Sequence, residues 1–215
     1  MTDRRVDIQA SPYVAYGRYC GYRDAAWRCL YDYQIDRLPV DVLRIASDAG
    51  IRVMPDSGVG LLRTHQTGMA CYDGARWTIV YDGMQTMEAC RFTIAHELGH
   101  IFLGHGLKMG EADESPREEI GKQHEREADH FAVRLLCPAC MLWALDLHTA
   151  EEIAAVCRVP LAVAKKRAAR MTTLYKRGQF LHSSLERDVF RRFEGYLAGE
   201  RERNGLPALC FDIEQ

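Results

Sequence analysis

Apolar residues recur along this chain in two rhythms, and the changes of rhythm mark out its elements. In residues 22–35, Ala26, Cys29, Leu30 and Tyr33 fall on one side of a helix. A second helix opens near Pro39, turns Val42, Leu43 and Ala46 inward and stops at Gly50. Residues 51–54 read as a short strand. Residues 67–72 and 77–81, on either side of Asp73-Gly74, read as a hairpin. One hairpin strand is expected at a sheet edge lining a cleft, where a peptide can add by main-chain hydrogen bonds. The apolar run 93–103 reads as a buried helix ending at Gly104 to Gly106, and residues 106–123 read as a polar, flap-like loop. In residues 125–136, Ala128, Phe131, Ala132, Leu135 and Leu136 stand at i, i+3, i+4, i+7 and i+8, the stripe of an amphipathic helix.

Beyond Thr149 the pattern changes. Thr149 and Glu152 form a capping box that opens a helix, Arg158-Val159 make a turn, and Pro160 starts another helix reaching Met171. This pair has the form of a helix-turn-helix. No acid occurs from Ile153 to Leu185, whereas Arg158, Lys165, Lys166, Arg167, Arg170, Lys176 and Arg177 are basic. Such a face can bind phosphates or present charge to an acidic partner. On a near-neutral protein it favours a docking module over a DNA reader. A last helix, 186–203, carries Val189, Phe190, Phe193 and Leu197 on its apolar side and ends near Gly205 and Pro207.

The chemistry is concentrated in the buried helix. His96 and His100 lie four residues apart, so both imidazoles leave one face about 6 Å from each other and can share a tetrahedral zinc ion. Glu97 follows the first histidine, where it can approach a water on the metal without being a ligand. An exposed helix would not surround these groups with Leu98, Gly99, Ile101 and Phe102. A catalytic zinc takes three protein ligands and keeps one position for water. The third is expected from the helix 125–136. Glu125 lies one turn before Asp129 on the same side, so one carboxylate can bind the ion while the other orients a histidine. Glu127 is the rival ligand. His105 reads as a C-terminal cap, and His130 as a packed or surface histidine. Ala128 allows the two helices to approach closely.

The run 91–100, the stretch 125–132 and Leu135-Leu136-Cys137-Pro138 together resemble the ImmA/IrrE family of metallopeptidases. The resemblance implies an α+β fold: a compact thermolysin-like zinc metallopeptidase domain with a small antiparallel sheet, followed by a helix-turn-helix-like helical module. It implies His96, His100 and Glu125 as ligands of Zn2+, Glu97 as general base, and a helix-turn-helix transcriptional repressor as protein substrate. Two positions depart from the family's habit: Cys137 where Met is frequent, and Asp129 where Asn is frequent. Neither is in the ligand set. The chain is accordingly divided into an N-terminal helical segment (1–36), a zinc metallopeptidase domain (37–146) and a helical module (147–215). The competing reading is a zinc-bearing regulator that acts by DNA or partner binding through residues 149–180.

Composition narrows the setting. Of 215 residues 47% are hydrophobic, enough for a core, and a net charge of −2 exerts no global pull toward nucleic acid or membranes. No apolar run reaches the ~20 residues of a membrane span, and the first residues lack the apolar stretch of a signal peptide. The expected setting is cytoplasmic, so the eight cysteines are expected as thiols. Cys137 and Cys140 form a Cys-x-x-Cys without a second pair or a thioredoxin-like context. Cys20, Cys29, Cys71, Cys90, Cys157 and Cys210 read as small core residues. His124, His130 and Tyr81 are each conceivable as the donor that stabilises the transition state.

Overall fold

The computed structural model describes residues 21–57, 60–105 and 117–209. Most of the N-terminal segment, residues 106–116 of the flap-like loop, Cys20 and Cys210 lie outside these residues; 117–123, read as the end of that loop, are helical. The fold is mixed α+β, and it divides into two compact units.

The first unit takes in Val42–Ala132 and the described residues before Ala26. It contains α2 (Val42–Asp48), strands β1 (Arg52–Pro55), β2 (Gly68–Tyr72) and β3 (Trp77–Tyr81), helix α3 (Met87–Leu103) and most of α4 (Arg117–Leu136). In α2 the buried residues are Val42, Ile45 and Ala46, whereas Leu43 is 55% exposed, against expectation. Val42, Ile45 and Ala46 share one side of a helix at i, i+3 and i+4, and Leu43 is rotated about 100° away from Val42. The sheet runs in the order β1-β3-β2. β2 and β3 form the expected antiparallel hairpin, with Gly68 opposite Tyr81 and Tyr72 opposite Trp77. Its loop is tied by Asp73, whose Oδ1 accepts from the Ala75 and Arg76 backbone N–H groups. β1, however, pairs parallel to β3, so the sheet is mixed and not antiparallel throughout. The segment after β1 crosses to the far edge before the hairpin begins. That leaves the centre to β3, whose Ile79 and Val80 are fully buried. Pro55, which has no N–H to give, stands on an edge strand.

The second unit comprises Ala26–Asp41 and the chain from Val133 onward. It holds all but the first turn of α1 (Tyr22–Asp32), the end of α4, α5 (Ala139–Ala144), α6 (Ala150–Cys157), α7 (Leu161–Arg177) and α8 (Ser184–Arg203). Ala26, Cys29, Leu30 and Tyr33 are buried as their spacing requires, as are Val189, Phe190, Phe193 and Leu197 of α8. The capping box of α6 is formed as read, with Thr149 accepting from the Glu152 N–H. A second capping box, Ser183 with Glu186, starts α8. α6 and α7 are joined through Arg158, in the left-handed region at φ 50°, and Pro160. The two form a helix pair. Arg167 is a correction to the basic face: it is 5% exposed, and its Nε donates to the Cys137 carbonyl at 2.8 Å. Arg158, Lys165, Lys166, Arg170, Lys176 and Arg177 are exposed. Cys29, Cys137, Cys140 and Cys157 are buried free thiols, but Cys71 is exposed on the edge strand and is no core residue. Burial pushes the Cys140 thiol well up, which keeps it protonated. No helix among the described residues is long and apolar enough to cross a membrane.

Candidate metal centre

Helix α3 carries the site and is held firmly at both ends. The Thr86 hydroxyl accepts from the Ala89 N–H, and Gly104 closes the helix at φ 72° with its N–H directed to the His100 and Ile101 carbonyls. Thr93, Ile94, Ala95, Glu97, Leu98, Gly99, Ile101, Phe102 and Leu103 are all buried. A helix apolar nearly all round has no solvent face, so its histidines open onto a cleft. Helix α4 lies against α3 where neither chain has bulk. A β-carbon on Gly99 would come within 3.1 Å of the Ala128 α-carbon and of Phe131 Cδ1. Phe102 and Phe131 meet edge to face beside this contact, with ring centres 5.9 Å apart.

This close approach brings three donor groups together. His96 Nε2 and His100 Nε2 are 3.0 Å apart. Glu125 Oε2 is 3.2 Å from His96 Nε2, and Glu125 Oε1 is 3.4 Å from His100 Nε2. Tetrahedral zinc with bonds of 2.0–2.1 Å sets its ligand atoms about 3.3 Å from one another. The spacing and the donor set, two imidazoles and a carboxylate, therefore fit such an ion. The rival Glu127 points elsewhere and meets His105 and Gln123.

Both histidines are held from behind. His96 Nδ1 lies 2.9 Å from Asp129 Oδ1, the pairing expected of an acid one turn after Glu125. His100 Nδ1 lies 3.0 Å from His105 Nδ1, and His105 Nε2 lies 3.0 Å from Glu127 Oε2. The C-cap is Gly104, and His105, read as the cap, instead meets the side chains of His100 and Glu127. His105 is 4% exposed and stacks flat on His124, with ring centres 4.1 Å apart. The left-handed turn at Gly104 folds the chain back and carries the next side chain inward. The sequence did offer a signal, an imidazole directly after the helix-ending glycine, but no spacing rule indicates where a residue beyond a helix end points.

Burial and neighbouring charge separate the titrations here. Burial lowers His100 to about 4, helped by His96 and His124. Burial, His124 and His100 likewise bring His105 to about 4. Burial would also lower His96, but the hydrogen bond to Asp129 and the charges of Glu97, Asp129 and Glu125 raise it on balance. Glu127 would be raised by burial, yet hydrogen bonds from Gln123 and His105 hold it below its ordinary value. Glu97 is pushed up to about 7, chiefly by burial and further by Glu125. Its carboxylate accepts from the Ala70 backbone N–H on β2.

A cleft of roughly 670 Å³ opens over these groups. The edge strand β2 contributes Gly68, Met69 and Ala70, α3 contributes Phe92, Thr93, His96, Glu97 and His100, and α4 contributes Gly121, His124, Glu125 and Asp129. Gly68 permits the strand to lie on the helix, since a β-carbon there would sit 3.2 Å from Glu97 Oε1 and 3.3 Å from the Val80 carbonyl. A glycine inside a strand is a known mark of close backbone approach, and Gly68 is a site-forming residue that the hairpin reading passed over. Of the three donors considered for the transition state, His124 lines the cleft. His130 stands on α4 with its ring 5.1 Å from that of Tyr22. Tyr81 is not among the lining residues.

A His-Glu-x-x-His helix, closed by an acid from a second helix and facing a sheet edge, defines the metallopeptidase class. The family model described as the IrrE N-terminal-like domain, Peptidase M78, matches residues 46–169, more than half of the chain, and the chain belongs to that family. The match begins in α2, spans the sheet, α3 and α4, and runs through α6 into α7. No curated protein matches the chain.

Proposed function

We propose that the protein is a zinc-dependent endopeptidase that cleaves a helix-turn-helix transcriptional repressor or a similar regulatory protein. The observation that carries this reading is the convergence of His96, His100 and Glu125 donor atoms within 4.8 Å of one another, beside a buried Glu97. Zinc held by these three residues would polarise the scissile carbonyl and bring the pKa of its water to about 7. Glu97 takes a proton from the attacking water and delivers it to the departing amine. Asp129 keeps the ring of His96 aimed into the cleft. His124 on the cleft wall is the candidate donor to the developing oxyanion. The outer edge of β2 offers main-chain groups to an extended substrate, while Met69, Trp77 and Phe92 favour apolar side chains in it. The repressor as substrate comes from the resemblance to the ImmA/IrrE family.

The exposed bases on α7, with Arg158, favour a second reading in which residues 149–180 bind DNA or an acidic partner without robust proteolysis. One experiment separates the two. Purified wild type and Glu97→Gln are incubated with candidate repressors and with DNA, with and without chelator. The peptidase reading expects chelator-sensitive cleavage by wild type, reduced at least about 10²-fold in the Gln variant, which still binds metal. Equal cleavage by both proteins, or DNA retention with no cleavage, overturns it.

A further inference from the structure

His105 has no part in the hydrolysis as derived, yet both of its ring nitrogens are engaged and it is 4% exposed. The direction of its hydrogen bonds follows from elementary chemistry. An ionised carboxylate can only accept, so His105 Nε2, 3.0 Å from Glu127 Oε2, must carry a hydrogen. If the His105 ring is neutral this is its one N–H, and its Nδ1 is an acceptor. His100 Nδ1, 3.0 Å away, must then be the donor. A neutral His100 protonated at Nδ1 keeps its lone pair on Nε2, the atom that faces His96 and Glu125. Glu127 is itself held by Gln123, whose Nε2 donates to Oε1 at 2.8 Å. The flat stack on His124 restricts rotation of the His105 ring.

We infer that His105 is a positioning residue: it passes the hydrogen-bond polarity of Glu127 to His100 and holds that imidazole with its Nε2 lone pair directed at the metal position. The inference rests on the metal-centre reading above. The two histidines are therefore oriented by different devices, Asp129 acting directly on His96 and Glu127 acting on His100 through an interposed ring. The interposed ring removes one carboxylate charge from the immediate surroundings of the donors, where Glu125 and Asp129 already stand.

The test needs no activity. Long-range 1H–15N NMR of the chelated, 15N-labelled protein reports the His100 tautomer directly. Wild type is expected with the hydrogen on Nδ1. His105→Phe, which keeps the ring and its stacking but offers no acceptor, and Glu127→Ala are expected to lose that preference. Competition with a chromophoric zinc chelator is expected to show about 10–100-fold weaker binding in both variants. His105→Gln, able to accept at its amide oxygen and donate at its amide nitrogen, should stay close to wild type. A hydrogen on Nε2 of His100 in wild type, or zinc binding by His105→Phe and Glu127→Ala as tight as wild type, overturns the inference. Should wild type take up no zinc, the metal-centre reading falls, and the tautomer of the chelated protein still decides the role of His105. Should His105→Phe fail to fold, the half-buried Glu127→Ala decides it.

Discussion

Gly99 and Ala128 touch backbone to backbone, and their contact sets the distance between the two helices that carry His96, His100 and Glu125. A β-carbon on Gly99 would meet the Ala128 α-carbon at 3.1 Å and the Ala128 carbonyl oxygen at 3.2 Å, neither of which can swing aside. Gly99→Ala gains up to about 1 kcal/mol of helix propensity but must push α4 outward, at about 1–3 kcal/mol of overpacking. The expected net result is a modest loss of stability and a larger loss of zinc affinity, because Glu125 moves away from His96 and His100. Denaturant unfolding and chelator competition on one preparation measure both. Unchanged zinc affinity would mean that this contact does not set the ligand spacing.

Gly68 plays the same part between the edge strand and α3. Its substitution by alanine places a methyl inside van der Waals contact of Thr93 Cγ2 and close to Glu97 Oε1. Gly68→Ala is expected to cost about 1–3 kcal/mol and to impair any activity that uses Glu97. Removing the opposing methyl in Gly68→Ala/Thr93→Ser should recover most of the stability. A double variant no more stable than Gly68→Ala would show that the clash lies with the Val80 carbonyl instead.

Glu97 makes stability depend on pH. Its folded-state pKa, about 7, lies above the ordinary 4.5, so the folded protein holds this proton more tightly than the unfolded chain does. Below pH 4.5 both states are protonated and nothing is lost. Between 4.5 and 7 the unfolded chain ionises first and stability falls. Above 7 the loss is complete, about 3 kcal/mol at 1.36 kcal/mol per pH unit. In chelator, Glu97→Gln is therefore expected to be more stable than wild type by up to about 3 kcal/mol at pH 8, with the gap closing toward pH 4. Unfolding curves across this range check it, and a pH-independent gap would refute the burial argument.

The bases of α7 fall into two groups with opposite expectations. Arg167→Met removes the donor to the buried Cys137 carbonyl and should cost about 1–3 kcal/mol. Replacing exposed Lys165, Lys166 and Arg170 with glutamine should leave stability within about 0.5 kcal/mol. If residues 149–180 bind DNA or an acidic partner, that triple variant should lose the binding and Arg167→Met, where folded, should keep it. Thermal unfolding and an electrophoretic shift measure the two effects.

Much of this organisation was legible in the chain. The helices of Ala26 to Tyr33, of Ala128 to Leu136 and of Val189 to Leu197 bury the residues their 3.6-residue spacing assigns to one face. The hairpin about Asp73-Gly74 and the capping box of Thr149 and Glu152 follow from local turn chemistry. Each misreading concerns a residue whose surroundings are supplied from elsewhere. Leu43 is apolar but faces solvent, Cys71 stands on an exposed edge, and Arg167 is charged yet buried against a carbonyl thirty positions earlier. β1 turned out parallel to β3 because strand order depends on where the intervening segment crosses, which no residue of β1 encodes.

The paired histidines needed only the sequence. Four residues along an α-helix return to the same face whatever the rest of the chain does, so His96 and His100 were bound to project together, with Glu97 between them. Which acid would meet them was a different matter. Glu125 and Glu127 differ by about 200° around α4, and their partners depend on how that helix is rotated and how near it comes to α3. The contact of Gly99 with Ala128 settles that approach: it turns Glu125 toward the imidazoles and leaves Glu127 to His105. Spacing within one helix is set by backbone geometry, whereas contact between two helices is set by packing, and packing exists only in the folded molecule.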